Sequence, residues 1–319
     1  MDDLAREVGV SKITVSRALA DHPGVREATR ERVRAVAEAR GFRLNVAARN
    51  LRQQRTRTIA VVIEMTPSHD RSMSEPYPLS LLGGILQELS GAAYNMVLTT
   101  MAVFERAPPA VDGVILLGQG LYEDAVDKVQ KSGLPYVIWG SVDGNEDHIT
   151  VGSNNVHGGR LAADHLLFLG RRAMVFLGET RHLEIADRLA GFKTRLAENG
   201  ARLMATLHCP FTEDGGHGAM KALLETAPRN FDGVFAASDA IAIGAIRALQ
   251  EAQVAVPDEV AIVGFDDAPS AVHCQPALTS VRQNWDEGGM LLARKILDLT
   301  HGRAVKSQAM PVLFKARET

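Results

Sequence analysis

Several side chains close to the N terminus are of the types that contact DNA. Within residues 11–17, an arginine could donate two hydrogen bonds to a guanine, and a lysine and an isoleucine could read neighbouring base edges. Hydroxyl side chains and the N terminus of a helix suit phosphate oxygens. The sequence therefore predicts a base-reading segment, in which the DNA-binding residues are Ser11, Lys12, Ile13, Thr14, Ser16 and Arg17.

Three short helices are predicted to hold this segment. Apolar residues at positions 4, 5 and 8 share one face of a first helix, and Gly9 supplies the positive φ of a tight turn. Ser11 is a suitable N-cap for a second helix that runs to Ala20, and a third helix is expected at about 28–40. Two helices across a glycine turn, braced by a third, form a helix-turn-helix arrangement. The alternative is a small helical bundle that binds a protein instead of DNA.

The charge of the chain is divided unevenly. Residues 1–57 carry 13 basic and 7 acidic side chains, a net charge of +6, whereas the other 262 residues carry a net charge of −9. Because phosphate binding is electrostatic, a basic segment on an acidic body favours a polyanion as the partner of that segment. The charge pattern and the helix pattern therefore agree on DNA.

Beyond residue 57, apolar strand-like runs alternate with stretches of helical spacing. Such an alternation is typical of a parallel sheet covered on both faces, and it restarts halfway along the chain, which predicts two α/β units facing a cleft. The predicted strands are 58–65, 95–101, 111–117 and 134–139 in the first unit, and 172–177, 204–209, 232–237 and 260–265 in the second. The predicted helices are 79–93, 121–132, 186–199, 215–226 and 240–251.

Two N-terminal segments resemble a known family. GVSKITVSRAL at 9–19 and ATRERVRAVAEARGF at 28–42 are similar to the head of the lactose-repressor (LacI/GalR) family, and the similarity continues through the whole chain. The resemblance implies an all-α helix-turn-helix head followed by an α/β core, similar to a periplasmic binding protein, with two doubly wound parallel-sheet lobes. The implied boundaries are 1–44 for the head, 45–57 for the hinge and linker, and 58–319 for the core. One lobe would hold about 58–150 and 282–305, and the other about 151–280 and 306–319.

The hinge is predicted to fold when it meets DNA. Residues 45–53 could form about two helical turns, which are too short to be stable alone. Four arginines within residues 49–57 favour a segment that stays mobile until DNA neutralises it. The resemblance implies that paired hinge helices enter the minor groove and that Leu51 wedges between base steps. A plain basic linker, with Leu51 packed on the head, is the alternative. The hinge residues predicted to bind DNA are Asn45, Ala48, Arg49, Leu51 and Arg52.

The resemblance also implies a small-molecule site between the lobes. Arg188, in the segment RLAGF, matches an effector-clamping arginine, and a guanidinium fits vicinal hydroxyls or a carboxylate. Asp266, in VGFDD, matches an effector-binding carboxylate that can accept two hydroxyl hydrogen bonds. Trp139 could stack on the apolar face of a sugar ring. The predicted effector-binding residues are Arg188, Asp266, Ser238, Asp239, Gln283, Trp139, Tyr77 and His182, with Glu184 as a further contributor.

These residues also have purely structural interpretations. Asp266 and Asp239 could cap helices, and Trp139 could belong to the core. Arg188 could form an ion pair between the lobes.

A homodimer is expected because two heads must read half-sites about one helical turn, ~34 Å, apart. The apolar segment 79–93 and the helix 121–132 are candidates for the dimer face. A well-buried crossover helix is the alternative interpretation of 79–93.

The sequence offers no catalytic motif. It has no GxSxG, HExxH or P-loop pattern, and the glycine pair at 118 and 120 is followed by Glu123 where a dinucleotide loop needs a third glycine. The two cysteines are 65 positions apart, so neither a disulfide framework nor a metal knuckle is expected. Apolar runs fall short of the ~20 residues of a membrane span. The polar N terminus does not resemble a secretory signal, so a cytoplasmic protein without a cofactor is expected.

The sequence therefore predicts a transcriptional regulator controlled by a ligand, and not an enzyme. We expect a repressor that binds a pseudo-palindromic operator, with a sugar or glycoside as the first choice of effector and a purine-like corepressor as the second. A sugar-binding transport protein would leave the basic head unexplained. An oxidoreductase of the Rossmann type would lack its phosphate loop and catalytic residues.

Overall fold

The computed structural model describes residues 1–19, 21–42, 55–64, 75–119, 124–142, 147–226 and 230–319. The chain divides into two units, Met1–Thr56 and Arg57–Thr319, and each has its own apolar core. The predicted hinge residues lie outside the described residues: Asn45, Ala48, Arg49, Leu51 and Arg52.

The described part of the N-terminal unit contains the helices α1 (Asp2–Val8), α2 (Lys12–Leu19) and α3 (Glu27–Ala39). Gly9 ends α1 with a left-handed backbone, φ 70°, as the predicted turn requires. The hydroxyl of Ser11 accepts the N–H of Thr14 at 3.1 Å, which caps α2. Apolar side chains from all three helices form one core, so the predicted helix-turn-helix arrangement is present.

The larger unit consists of two lobes, each with a six-stranded sheet. The first lobe contains β1 (Thr58–Ile63), β2 (Asn95–Thr100), β3 (Gly113–Leu117), β4 (Tyr136–Trp139), β5 (Ile149–Ser153) and β11 (Gln308–Met310). All neighbours are parallel, in the order β11-β5-β4-β3-β1-β2. The helices of this lobe are α4 (Pro76–Gly91), α5 (Met101–Arg106), α6 (Asp124–Gln130) and α12 (Trp285–Thr300). Two separate apolar clusters cover the two faces of the sheet, as a doubly wound fold requires.

The second lobe repeats this plan with a different sequence. Its strands are β6 (Ala173–Leu177), β7 (Arg202–Leu207), β8 (Gly233–Ala236), β9 (Ala261–Asp266), β10 (Thr279–Arg282) and β12 (Leu313–Lys315). They are ordered β12-β10-β9-β8-β6-β7, and only the β10–β12 pair is antiparallel among these described strands. The helices are α7 (Asn155–Phe168), α8 (Leu183–Glu198), α9 (Glu213–Thr226), α10 (Asp239–Glu251) and α11 (Pro269–His273).

The lobe boundaries differ from those expected. We expected the second lobe to begin at about 151 and to take all of 306–319, but β5 ends at Ser153 and β11 lies in the first sheet. The reason is pairing: Gln308 lies opposite Val151, and Met310 lies opposite Ser153 along the edge of β5. After β11 the chain crosses to the second sheet at residues 311–312. Of the segment 306–319, only β12 therefore pairs in that sheet.

The two segments proposed for a dimer face behave differently. Helix α4 buries Leu81, Ile85 and Leu89 against the lobe but exposes about half of Leu79 and Leu86. The helix expected at 121–132 is seen as α6, whose apolar residues Ala125, Val126 and Val129 are buried. Within its described range the apolar side chains of α6 therefore face the core, and a role of the segment 121–132 in a dimer face stays a prediction.

Candidate functional site

Helix α2 presents the predicted base-reading side chains of the head. Its buried face is formed by Val15 and Ala18, so Lys12, Ile13 and Arg17 lie on the exposed side. Ile13 is 64% exposed and is therefore accessible to a base edge. The ammonium of Lys12 pairs with the carboxylate of Asp2, and both side chains are more than half exposed. Such a surface pair contributes little, so a phosphate can replace the carboxylate.

The hydroxyl residues of α2 are partly committed to the helix itself. Ser11 caps α2, and its hydroxyl also lies 2.8 Å from the hydroxyl of Thr14. Thr14 and Ser16 are half-buried. Ser11 and Thr14 therefore hold the N terminus of the helix in place, and an N terminus of this kind suits a phosphate.

A cavity of about 360 Å³ lies between the carboxyl ends of the strands of the two lobes. Seven of the eight predicted effector-binding residues line it: Tyr77, Trp139, His182, Arg188, Ser238, Asp266 and Gln283. Glu184 lines it as well. The position agrees with the rule that open α/β sheets bind ligands beyond the carboxyl ends of their strands.

Arg188 is fixed before any ligand arrives. It lies on α8 and is 6% exposed. Its Nε donates to Oδ1 of Asn155 at 2.9 Å, and Nη1 donates to the carbonyl of Ala237. The guanidinium carbon lies 3.7 Å from the centroid of the Phe265 ring. These three partners belong to the second lobe, and they hold the guanidinium in a fixed plane at the cavity wall.

Asp266 and Gln283 form a hydrogen-bonded pair at the cavity. The amide Nε2 of Gln283 donates to Oδ1 of Asp266 at 2.7 Å, and Gln283 is 7% exposed. Asp266 has a φ of 119° and Asp267 a φ of 55°, backbone conformations that non-glycine residues rarely adopt. Strained backbone of this kind persists only where surrounding contacts hold it. Two further contacts hold this turn: Ser280 accepts the N–H of Asp267 at 3.0 Å, and Arg317 pairs with the Asp267 carboxylate.

Asp239 does not line the cavity, contrary to our expectation. Its side chain is fully buried, Oδ1 accepts the hydroxyl of Ser280 at 2.6 Å, and Oδ2 accepts the N–H of Ala268 at 2.7 Å. Burial, followed by the nearby charge of Asp266, raises the pKa of Asp239. The carboxylate is directed inward because two donors lie there, the N–H of Ala268 next to the strained turn and the hydroxyl of Ser280 on β10. Asp239 therefore positions the turn that presents Asp266, and Ser238 beside it both lines the cavity and caps α10.

The aromatic residues of the cavity also serve the core. Trp139 is 3% exposed, lines the cavity and packs so closely on α12 that a side chain at Gly288 would collide with its ring. Tyr77 meets Trp285 edge-on at 5.5 Å between ring centroids. His182 lies 5.8 Å from Phe211 in a similar arrangement. Both interpretations of Trp139, as core and as cavity wall, therefore apply.

The cavity wall contains several residues that the sequence did not single out: Glu64, Gln119, Asn155, Glu179, Arg181, His208 and Phe211. Glu64 follows β1, and burial raises its pKa. Glu179 pairs with Arg181 at 2.7 Å, and this hydrogen bond lowers the pKa of Glu179 to about 2. Glu64 could have been noticed as the acidic residue that ends an apolar strand, whereas Asn155 begins α7 and the others lie between helices and strands without a motif.

A direct hydrogen bond connects the two lobes beside the cavity. Ser141 follows β4 of the first lobe, and its hydroxyl donates to the carboxylate of Asp187 on α8 of the second lobe. The N–H of Ser141 donates to Oε1 of Gln119 at 2.6 Å, which fixes Ser141 in place. Polar side chains thus join the two lobes at the cavity wall.

The cavity is built for binding. Burial raises the pKa of Cys209 to about 11, so its thiol is protonated and a poor nucleophile at neutral pH. Among the described residues, no cluster of histidine, cysteine and carboxylate side chains could hold a metal ion. Hydrogen-bonding groups next to aromatic rings are instead suited to a small polar molecule with apolar faces. None of the helices in the described parts of the chain has the length and apolar character to span a membrane.

Comparison with known proteins extends over the entire chain. Residues 1–45 match the family model for bacterial regulatory proteins of the lacI family, and residues 163–319 match a periplasmic binding protein-like domain. The chain is 33% identical to the HTH-type transcriptional regulator CelR of Thermobifida fusca, over 96% of this chain and 93% of that protein. It is 27% identical to catabolite control protein A of Priestia megaterium, over 96% and 93% of the two chains.

Solved structures agree with these sequence matches. A complex described as transcriptional regulator CelR with cellobiose is 30% identical, with a TM-score of 0.75 over 99% of this chain and 98% of that one. A Lac repressor dimer bound to operator has the same fold, with a TM-score of 0.86 at 23% identity over 99% and 97% of the chains. The predicted architecture of a helix-turn-helix head and a two-lobed α/β core is thereby confirmed, and the relatives are regulators and not enzymes. The chain therefore belongs to the lacI family of bacterial transcriptional regulators.

Proposed function

We propose that this regulator is a repressor whose affinity for operator DNA is controlled by a neutral sugar or glycoside bound between the lobes. The observation that carries the proposal is the cavity in which a buried, pre-oriented Arg188 and the Asp266–Gln283 pair line the same space as Trp139 and Tyr77. A planar guanidinium and carboxylate or amide oxygens match the donors and acceptors of vicinal hydroxyls. Aromatic rings match the apolar faces of a sugar ring.

The charge of the cavity wall favours a neutral ligand. Among the described residues, the carboxylates of Glu64, Glu179, Glu184 and Asp266 line it, against the guanidinium groups of Arg181 and Arg188. A phosphorylated or acidic sugar would meet an excess of negative charge there, and like charges at close range are costly. The CelR relative, whose structure is described as a complex with cellobiose, supports the same ligand class.

The head and the larger unit supply the remaining parts of the proposal. The exposed side chains Lys12, Ile13 and Arg17 are suited to base edges in the major groove. Helix α4 and the edge strand β2 present exposed apolar residues, among them Leu86 and Leu98, that a second copy of the chain can cover. A homodimer formed in this way would place two heads on two half-sites of a pseudo-palindrome. Because its partner is operator DNA, we expect the protein to act in the cytoplasm.

The proposed mechanism couples the two sites through lobe closure. A ligand that contacts Arg188 and Asp266 in the second lobe and Glu64 in the first draws the lobes together and changes the geometry of the dimer face. The change then separates the hinges and releases them from the minor groove. Because coupling is reciprocal, DNA must weaken ligand binding by the same factor.

A thermal unfolding panel tests the ligand class. Cellobiose, lactose, maltose, glucose, galactose and ribose are compared with glucose 6-phosphate and gluconate as acidic controls. A ligand at 100 times its Kd adds about 2.7 kcal/mol to the free energy of unfolding, so a binding sugar raises Tm measurably. We expect at least one neutral sugar to raise Tm and the two anions to leave it unchanged. A shift with the anions alone would contradict the proposal.

A further inference from the structure

An acidic side chain lies next to the base-reading residues of the head. The carboxylate of Asp2, in the first turn of α1, forms an ion pair with the ammonium of Lys12, the first residue of α2. Both side chains are more than half exposed, and Lys12 lies on the exposed side of α2, so the carboxylate lies on that side as well. Because DNA phosphates repel a carboxylate, Asp2 disfavours DNA unless it gains a contact there.

The packing of the first two helices places these two residues side by side. Leu4 of α1 and Val15 of α2 are buried in the same apolar core. Between the helices, Gly9 turns the chain with a left-handed backbone, φ 70°. The core and the turn therefore hold the backbone of Asp2 and Lys12 in place before any DNA is bound.

The other ion pairs in the described part of the head involve arginines outside the base-reading segment. They join Asp3 to Arg6, Glu7 to Arg40, Asp21 to Arg34 and Glu27 to Arg30. Among these described acidic residues, Asp2 is thus distinguished by its partner, which is a predicted base-reading side chain. An exposed ion pair contributes little to stability, so the stability of the head does not account for this choice of partner.

A paired ammonium and carboxylate match the major-groove edge of a G·C base pair. Guanine presents the acceptors N7 and O6, and cytosine presents its N4 amino group as a donor. Because O6 and N4 share a Watson–Crick hydrogen bond, they lie about 2.9 Å apart, close to the separation of the nitrogen and oxygen in an ion pair. In an A·T pair the same two positions carry a donor, N6, and an acceptor, O4, so the ammonium and the carboxylate would each meet a group of its own kind.

We propose that Asp2 is a specificity-determining residue of the head. Lys12 donates to the guanine of one G·C base pair in each half-site, and Asp2 accepts the N4–H of the paired cytosine. This inference rests on the proposed binding of operator DNA by the head, and it does not depend on the ligand of the cleft. A carboxylate that meets a thymine or a phosphate is repelled, so Asp2 also lowers the affinity for non-specific DNA.

Selection from a random duplex library with the full chain gives the preferred half-site. The same selection with Lys12→Met identifies the base pair that Lys12 contacts, because the preference is relaxed there, and we expect this pair to be G·C. Replacing its cytosine with N4-methylcytosine keeps Watson–Crick pairing but puts a methyl group in place of the hydrogen that faces the major groove. Measured by fluorescence anisotropy at fixed salt, this replacement should weaken binding of the wild-type protein at least fivefold.

Two alanine variants assign the effect of the methyl group to Asp2. Asp2→Ala removes the proposed acceptor, and the methyl group should then change the affinity by less than twofold. Asp3→Ala is the matched control, because it removes a carboxylate from the same helical turn whose partner is Arg6, and it should remain at least fivefold sensitive to the methyl group. Both variants lose one negative charge, so both should bind random-sequence DNA more tightly to a similar extent.

Several outcomes would overturn the role of Asp2 and leave operator binding intact. One is a pair other than G·C at the position of Lys12, or no relaxed position in the Lys12→Met selection, since Lys12 would then bind a phosphate. Another is wild-type binding that N4-methylcytosine leaves unchanged, a result that needs no variant. Equal losses in the wild type and Asp2→Ala would place the methyl group against another residue. If the full chain shows no salt-sensitive binding to any duplex, the proposed function itself fails.

Discussion

Replacing Arg188 with lysine should weaken effector binding while leaving the fold intact. Lysine keeps the positive charge but loses the planar fork that Asn155 and the Ala237 carbonyl hold in place and the stacking on Phe265. A hydrogen bond that involves a charged group contributes about 1.5–3 kcal/mol. Losing one such bond to the ligand raises Kd by about 10- to 100-fold.

Thermal unfolding with a binding sugar from the panel measures this effect. At 100 times the wild-type Kd the ligand adds about 2.7 kcal/mol, but after a 100-fold rise in Kd the same concentration adds only about 0.4 kcal/mol. At about 2–4 °C per kcal/mol, the wild-type Tm shift is about 5–11 °C and that of Arg188→Lys is about 1–2 °C.

Arg195→Lys is the matched control for this experiment. Arg195 lies on the same helix α8, but its guanidinium pairs with Asp164 at 2.5 Å and with Glu198 at 3.0 Å and does not line the cavity. This variant should keep the wild-type Tm shift. A full shift in Arg188→Lys would remove Arg188 from the effector site, and an equal loss in both variants would show that the substitution acts through the helix.

Three further variants test other parts of the molecule. Asp239→Asn should raise the effector Kd, measured by titration calorimetry, by about 3- to 10-fold, because it removes a hydrogen bond that positions the turn of Asp266. In an Asp266→Asn background the same substitution should not raise the Kd further. An equal rise in Kd in both backgrounds would show that Asp239 acts only on the structure. Arg181→Gln removes the partner that lowers the pKa of Glu179 from 4.5 to about 2. The free energy of unfolding of the variant should therefore be lower than that of the wild type by a constant amount above pH 4.5, and this difference should disappear as the pH falls toward 2. Urea denaturation at several pH values measures this cost, and a pH-independent difference would contradict the ion pair. Arg17→Ala should weaken operator binding by about 10- to 100-fold and non-specific DNA binding much less, as read by fluorescence anisotropy at fixed salt; equal losses would show that Arg17 contacts phosphate only.

The sequence predicts the elements well where the local chemistry is unambiguous. Gly9 and Ser11 mark the turn and cap of the head because a positive φ and a helix N-cap each require few residue types. Continuous apolar runs identify the inner strands because both faces of each sheet are buried. The resemblance adds Arg188 and Asp266, which the structure brings to one cavity.

What the sequence does not predict depends on contacts between distant segments. Asp239 follows a strand just as a cavity residue would, but its direction is set by the N–H of Ala268 and the hydroxyl of Ser280, which lie 29 and 41 residues away. The three-residue strand β11 carries no periodicity, so only its pairing with β5 assigns it to the first lobe. From the sequence alone, Trp285 is predicted only to be an apolar residue at the start of a helix. The structure adds that its indole N–H has no acceptor among the described residues.

Coupling between the cleft and the operator is tested most directly by measuring each affinity with and without the other ligand. Full-length protein is titrated onto a labelled duplex from the region upstream of its own gene, by fluorescence anisotropy, in the absence and presence of the sugar that raises Tm. We predict that saturating sugar changes the DNA affinity, and that bound duplex changes the sugar affinity by the same factor. Salt-sensitive DNA binding that is identical with and without saturating sugar would contradict the coupling of the two sites.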